Sequence, residues 1–133
     1  MPIQKWATAA AIMVASVALA LPVVSQERDS DGTRMQARTV EIGTIHADQL
    51  QPPDTQADWR LIRLDEETDV KLTLTVNTEN QSADLTLSGA TGEELEKRRA
   101  GRESATIERT LLAGIYYISV ESSDTLSYEL SIQ

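Results

Sequence analysis

From Thr39 onward the chain alternates apolar and polar residues with the period of two that marks half-buried strands. The cleanest run is Val70-Lys71-Leu72-Thr73-Leu74-Thr75-Val76, which puts four apolar side chains on one face and Lys and Thr on the other. Thr39 to Ile45 predicts an earlier strand, followed by a loop over His46 to Ala57 that contains Pro52-Pro53. Asp58 to Leu64 predicts another strand, stopped by the acidic turn Asp65-Glu66-Glu67-Thr68-Asp69. Ala83 to Leu87 reads as a short strand after a turn over Asn77 to Ser82. Gly89 and Gly92 bracket a turn before Glu93 to Arg102, whose single Leu95 and mixed charges suit a short helix or a ragged strand. Ser104 to Leu111, carrying Ile107, leads to two β-rich runs, Leu111 to Val120 and Leu126 to Ile132. These are separated by the polar turn Glu121 to Thr125 and predict a hairpin at the end of the chain. Gly114 opens the first run; Tyr116, Ile118 and Val120 share one face of it, as Tyr128, Leu130 and Ile132 do in the second.

Seven to eight short strands at near-regular spacing predict an all-β fold, an antiparallel β-sandwich of jelly-roll-like form. The first 25 residues have a different texture. A short n-region with Lys5 precedes the apolar, Ala- and Val-rich run Trp6 to Leu21, and Pro22-Val23-Val24-Ser25 closes it. This predicts a secretory signal peptide cleaved after Ser25, and hence a periplasmic or extracellular protein. The same run approaches membrane-spanning length, but Pro22 and its mild hydropathy favour cleavage over a retained anchor. Residues 26–38 are polar and aperiodic and read as a flexible leader. Residues 39–133 form the single sandwich domain.

The 133 residues carry a net charge of −9, which becomes one unit more negative when Lys5 leaves with the signal peptide. Such an acidic chain repels phosphate backbones, which argues against nucleic acid, and it repels anionic lipid surfaces. It would meet the membrane only through the signal peptide before cleavage. No Cys is present, which excludes disulfides, thiolate metal sites, Cys nucleophiles and a lipidated Cys. With no Phe either, the core must be built from Leu, Ile and Val with a few Tyr.

An ordered set of positions carries a family resemblance. These are Gly43-x-Ile45; Asp58-Trp59 opening a strand; Val70-x-Leu72-x-Leu74-x-Val76; Ala83-Asp84-Leu85-x-Leu87 with Gly92 after it; Ala113-Gly114-x-Tyr116-Tyr117-Ile118-x-Val120; and Tyr128-x-Leu130-x-Ile132. Over Val40 to Ile132 the chain resembles the bacterial pre-peptidase C-terminal domain, a β-sandwich usually appended to secreted proteases. It departs from that pattern where the acidic run Asp65 to Asp69 replaces a turn glycine, and in having no peptidase domain before it. The resemblance implies a non-catalytic binding or accessory module, with an extracellular or envelope protein or a polysaccharide as partner. The alternative is a docking or inhibitory partner of a separately encoded secreted hydrolase. Some collagen-binding relatives hold calcium near the N-terminal linker.

The residues themselves offer few chemical constellations. His46 is the single His, and no Ser is flanked by nucleophile-elbow glycines, so the expectation is a non-enzyme. The carboxylates of Asp65 to Asp69 read as a solvated turn rather than a glycosidase pair. Glu27-Arg28-Asp29-Ser30-Asp31-Gly32 begins like a calcium loop, but Arg38 stands where an EF-hand needs its bidentate Glu. What remains is a looser calcium site using Asp29 and Asp31; no other cofactor is expected. Lys97-Arg98-Arg99 with Arg102 is a basic cluster, read as paired with Glu93, Glu94, Glu96 and Glu103. Asn80-Gln81-Ser82 spells a glycosylation sequon, which bacteria rarely use. The period-two rule yields the candidate partner site: with Ile62, Leu64, Tyr116, Ile118 and Val120 inward, Trp59, Leu61, Ile115 and Tyr117 point to the opposite faces of their strands. The alternatives are that residues 26–38 or the Pro52-Pro53 loop cover those faces, or that the two strands lie in different sheets.

Overall fold

The structure is a computed structural model and describes residues 32–133. The signal segment, residues 26–31 of the leader, and the calcium candidates Asp29 and Asp31 lie outside the described residues. Among the described residues a 3-10 turn, Arg34–Gln36, precedes nine strands: β1 Arg38–Thr39, β2 Thr44–Leu50, β3 Ala57–Leu64, β4 Thr68–Val76, β5 Ala83–Ser88, β6 Glu94–Ala100, β7 Ala105–Leu111, β8 Gly114–Glu121 and β9 Leu126–Ile132. They form two sheets, ordered β1-β3-β8-β5-β6 and β2-β9-β4-β7. Only β1, beside β3, pairs parallel; the other ladders of the described residues are antiparallel. No helix among these residues is long and apolar enough to cross a membrane.

The period-two patterns decide which faces meet. Ile62, Leu85, Leu87, Ile118 and Val120 of the five-stranded sheet, and Leu72, Leu74, Ile107, Leu130 and Ile132 of the four-stranded one, are buried in a single core. Facing sheets of this kind pack about 10 Å apart, the thickness these side chains fill by interdigitating. The inward face of β4 runs Val70, Leu72 and Leu74, as its alternation predicts.

Two expectations are corrected. The terminal hairpin does not form: β8 lies between β3 and β5, and β9 lies between β2 and β4, in the other sheet. The turn after Glu121 crosses from one layer to the next. It is pinned by Ser122 N–H on the Gln56 carbonyl and by Ser122 Oγ–H on the Ser82 carbonyl. Two strands each with one wholly apolar face gain more by facing each other across the core than by lying side by side with that face still uncovered. Second, the strand expected over Thr39 to Ile45 is broken at Gly43 (φ +95°), and β2 continues through His46 to Leu50, which was expected to be loop. All seven residues of β2 pair with β9, yet only Leu50 is fully buried, so the ladder more than apolar burial holds this segment as strand. Of the two readings open for Glu93 to Arg102, a short helix or a ragged strand, the strand is the one that forms: Glu94–Ala100 pairs with β5, and β6 is the last strand of its sheet. Its Lys and Arg residues suit an edge, where charge discourages pairing with other chains.

Candidate functional site

The outer face of the five-stranded sheet is read directly from the register of β3, β8, β5 and β6. In β3 the inward residues are Asp58, Arg60, Ile62 and Leu64, so Trp59, Leu61 and Arg63 face out. Opposite them in β8 stand Ser119, Tyr117 and Ile115. Trp59, Leu61, Ile115 and Tyr117 therefore share one face of two adjacent strands, and all four are half-buried. The Trp59 and Tyr117 rings meet edge to face, with centroids 6.5 Å apart and planes at 74°. Across the sheet, Ser119 and Tyr117 pair with Thr86 and Ser88 of β5, and Thr86 and Asp84 pair with Lys97 and Arg99 of β6. The face thus grades from an aromatic and aliphatic half, through hydroxyls, to a charged edge.

The outer face of the other sheet has no such patch. Its central rows run Ile45, Ser131, Thr73, Thr106 and then Ala47, Glu129, Thr75. Ile45 is its one large exposed apolar side chain.

Beneath the aromatic patch, on the inward side of the same strand, lies a polar cluster that the hydropathy pattern did not single out. Arg60 and Tyr128 are each 1% exposed and Asp58 is 2% exposed. Arg60 reaches from β3 to the opposite sheet, where its Nη1 donates to the Tyr128 hydroxyl at 2.9 Å. That hydroxyl in turn donates to Asp58 Oδ2. Arg60 Nη2 lies 3.5 Å from Asp48 Oδ2 of β2, and its guanidinium sits 5.7 Å from the Tyr128 ring centroid. The Arg60 Nε has no acceptor among the described residues. Burial, followed by the Asp58 charge and its hydrogen bond, holds the Tyr128 phenol well above its usual range despite the opposing pull of Arg60. A signal for this cluster does exist in the sequence: counting back in twos from Leu64 and Ile62 lands on Arg60 and Asp58.

His46 lies in β2 and is not a loop residue. Its Nε2 is 2.8 Å from Thr44 Oγ1, whose own proton goes to the Glu41 carbonyl at 2.6 Å. The imidazole must therefore donate to Thr44, the opposite of a base facing a nucleophile. Burial first, then the Arg60 and Arg38 guanidiniums, hold its pKa below the ordinary imidazole range, while Asp48 pulls the other way. In the acidic turn, Asp65, Glu66 and Glu67 are exposed and Asp69 accepts from the Thr110 hydroxyl at 2.6 Å. The basic cluster pairs internally with partners partly different from those expected. Arg98 bridges Glu96 at 2.6 Å, while Arg99 and Lys97 bridge Asp84 at 3.0 and 4.0 Å. Among the described residues no group of three or more His, Asp and Glu side chains gathers closely enough to hold a metal ion.

No family model and no curated protein matches the sequence. Solved structures do match the fold. The pre-peptidase C-terminal domain of a collagenase from Bacillus anthracis aligns at a TM-score of 0.64 and 16% identity, over 73% of this chain and 94% of that one. Two periplasmic inhibitors of g-type lysozyme align more loosely. The one from Salmonella Typhimurium does so at a TM-score of 0.44 and 14% identity, over 73% of this chain and 99% of its own. The one from Aeromonas hydrophila does so at 0.39 and 16%, over 73% and 97%. The two-sheet architecture described above is thus of the pre-peptidase C-terminal type. At this level of identity the likeness speaks to fold alone.

Proposed function

We propose that the chain is an exported, non-catalytic binding module whose partner docks on Trp59, Leu61, Ile115 and Tyr117. The observation that carries this reading is the asymmetry of the two outer faces. One is Ser, Thr and Glu on its central strands β9 and β4, with Ile45 and Ala47 on the edge strand β2, whereas the other brings a Trp, a Tyr and two aliphatic side chains together on adjacent strands. Trp and Tyr supply large contact area at low conformational cost and still offer a hydrogen bond at their rims, which is why they anchor binding surfaces. A flat sheet face with no deep apolar pocket suits an extended or flat partner, an extracellular or envelope protein or a polysaccharide, better than a small molecule. The export signal over residues 1–25 supports that compartment.

The test is affinity capture from the envelope and extracellular fractions of the source organism, comparing the wild-type chain with the Trp59→Ala, Tyr117→Ala double variant. The reading expects the partner to be lost from the variant while its urea midpoint shifts only modestly. If the variant unfolds as badly as Ile118→Ala, these side chains belong to the core and the surface is gone. Recovery of one defined secreted hydrolase would make the chain its docking or inhibitory subunit.

A further inference from the structure

The aromatic pair is not bare. The Arg34 guanidinium sits 5.6 Å from the centroid of the Tyr117 ring, within cation–π range. It also lies against Gly92, where an added Cβ would fall 2.4 Å from Arg34 Nη1. Gly32, Thr33 and Arg34 form one wall of a cleft of about 450 Å³ whose other wall is the Pro53–Ala57 loop, with Trp59 and Glu121 also lining it. Residues 32–37 thus approach the proposed binding face from the N-terminal side and place a cation on one of its two rings.

The two ends of this segment are held very differently. Its C-terminal end is locked. Arg38 and Thr39 pair in register with Arg60 and Leu61, Val40 N–H donates to the Leu61 carbonyl at 2.9 Å, and the Val40 side chain is buried. Among the described residues its N-terminal end is lightly attached. No residue of the 3-10 turn Arg34–Gln36 is buried, Met35 is 88% exposed, and Thr33 makes no side-chain cap bond. The Arg34 guanidinium also draws on Glu93, whose lowered pKa owes most to the Thr91 hydroxyl and least to Arg34.

We propose that residues 32–37 are a displaceable cover, hinged at Ala37–Arg38, and that Arg34 occupies in cis the place that a basic side chain of a protein partner takes on Tyr117. This deepens the binding reading above and rests on it. Charge complementarity favours the basic partner: the chain carries a net charge of −9, and Asp54 and Glu121 line the same cleft. An incoming Arg or Lys replaces the Arg34 cation–π contact and gains the neighbouring carboxylates, whereas Arg34 is already committed to its own chain.

Two measurements test the cover and its occupant separately. In a Trp6→Phe background Trp59 is the only Trp, and its quenching by acrylamide reads access to the face with no ligand present. Arg34→Ala should raise the quenching constant, and Arg34→Lys, which keeps the cation, should stay near the parent value. Unchanged quenching in Arg34→Ala overturns the cover, whatever the face binds. The second probe is a hexa-arginine peptide titrated against the same proteins. Arg34→Ala should tighten its binding about threefold or more by removing the internal competitor, and Tyr117→Leu should abolish that gain. If the peptide binds the parent, Arg34→Ala and Tyr117→Leu proteins alike, attraction is diffuse and the basic occupant is wrong. If peptidoglycan binds instead and is released by Trp59→Ala, the binding reading stands and the basic occupant falls.

Discussion

Replacing Tyr128 by Phe removes one oxygen from the middle of the buried cluster and leaves the ring in place. That oxygen accepts from Arg60 and donates to Asp58, so one deletion takes a hydrogen bond from a cation and from an anion that are each 2% exposed or less. Hydrogen bonds to charged groups are worth about 1.5–3 kcal/mol each, and two sharing one atom are not fully additive, so the expected loss is about 2–4 kcal/mol. Because the aromatic volume is conserved, little of that loss comes from a cavity. The assay is urea unfolding followed by far-UV circular dichroism at neutral pH; with a slope of about 1–3 kcal/mol per molar, the midpoint should fall by about 0.7–4 M at unchanged slope. A second arm uses pH. The folded Tyr128 pKa is raised, so its contribution is fully present below the unfolded phenol value and is lost as pH climbs above about 10, where only the unfolded chain releases that proton. Tyr128→Phe should remove that part of the alkaline decline. A cost below about 0.5 kcal/mol together with an unchanged alkaline profile would refute the reasoning, since the charges would then be satisfied without the hydroxyl.

Three other outcomes are expected. Ile118→Ala, at the centre of the five-stranded sheet with its side chain fully buried, should cost about 2–5 kcal/mol, whereas Thr73→Ala on the opposite outer face should cost about 0.5–1 kcal/mol or less; equal losses would show the facing assignment to be wrong. His46 has a folded pKa held below its unfolded value, so stability should decline as pH falls through about 6.5, and His46→Gln should flatten that limb in a pH series of thermal melts. Intact-mass analysis of the exported protein should find Gln26 as its first residue, and a species retaining Trp6 to Val24 would contradict cleavage after Ser25.

Much of the architecture was legible because the side-chain period of a strand is local. Val70 to Val76 and Gly114 to Val120 each announce a buried and an outward face in their own composition, and with them the all-β class; the same period sets Trp59 with Leu61, and Ile115 with Tyr117, on one face of their own strands. Strand neighbours are not local. Nothing in β8 and β9 says whether they lie side by side or across the core, because the same alternation serves both arrangements; only the gain from burying one apolar face against the other chose the crossing. For a related reason the second half of β2 read as loop and β6 as either a short helix or a strand, since their ladder partners more than their hydropathy hold them. The Arg60 cluster and the Arg34 contact depend on residues 68 and 83 positions apart meeting in space. The sequence by itself thus determined the class of fold and the two faces of each apolar strand. Tertiary packing decided which strands meet, which charge is buried, and what lies over the aromatic pair, because those depend on contacts between segments far apart in the chain.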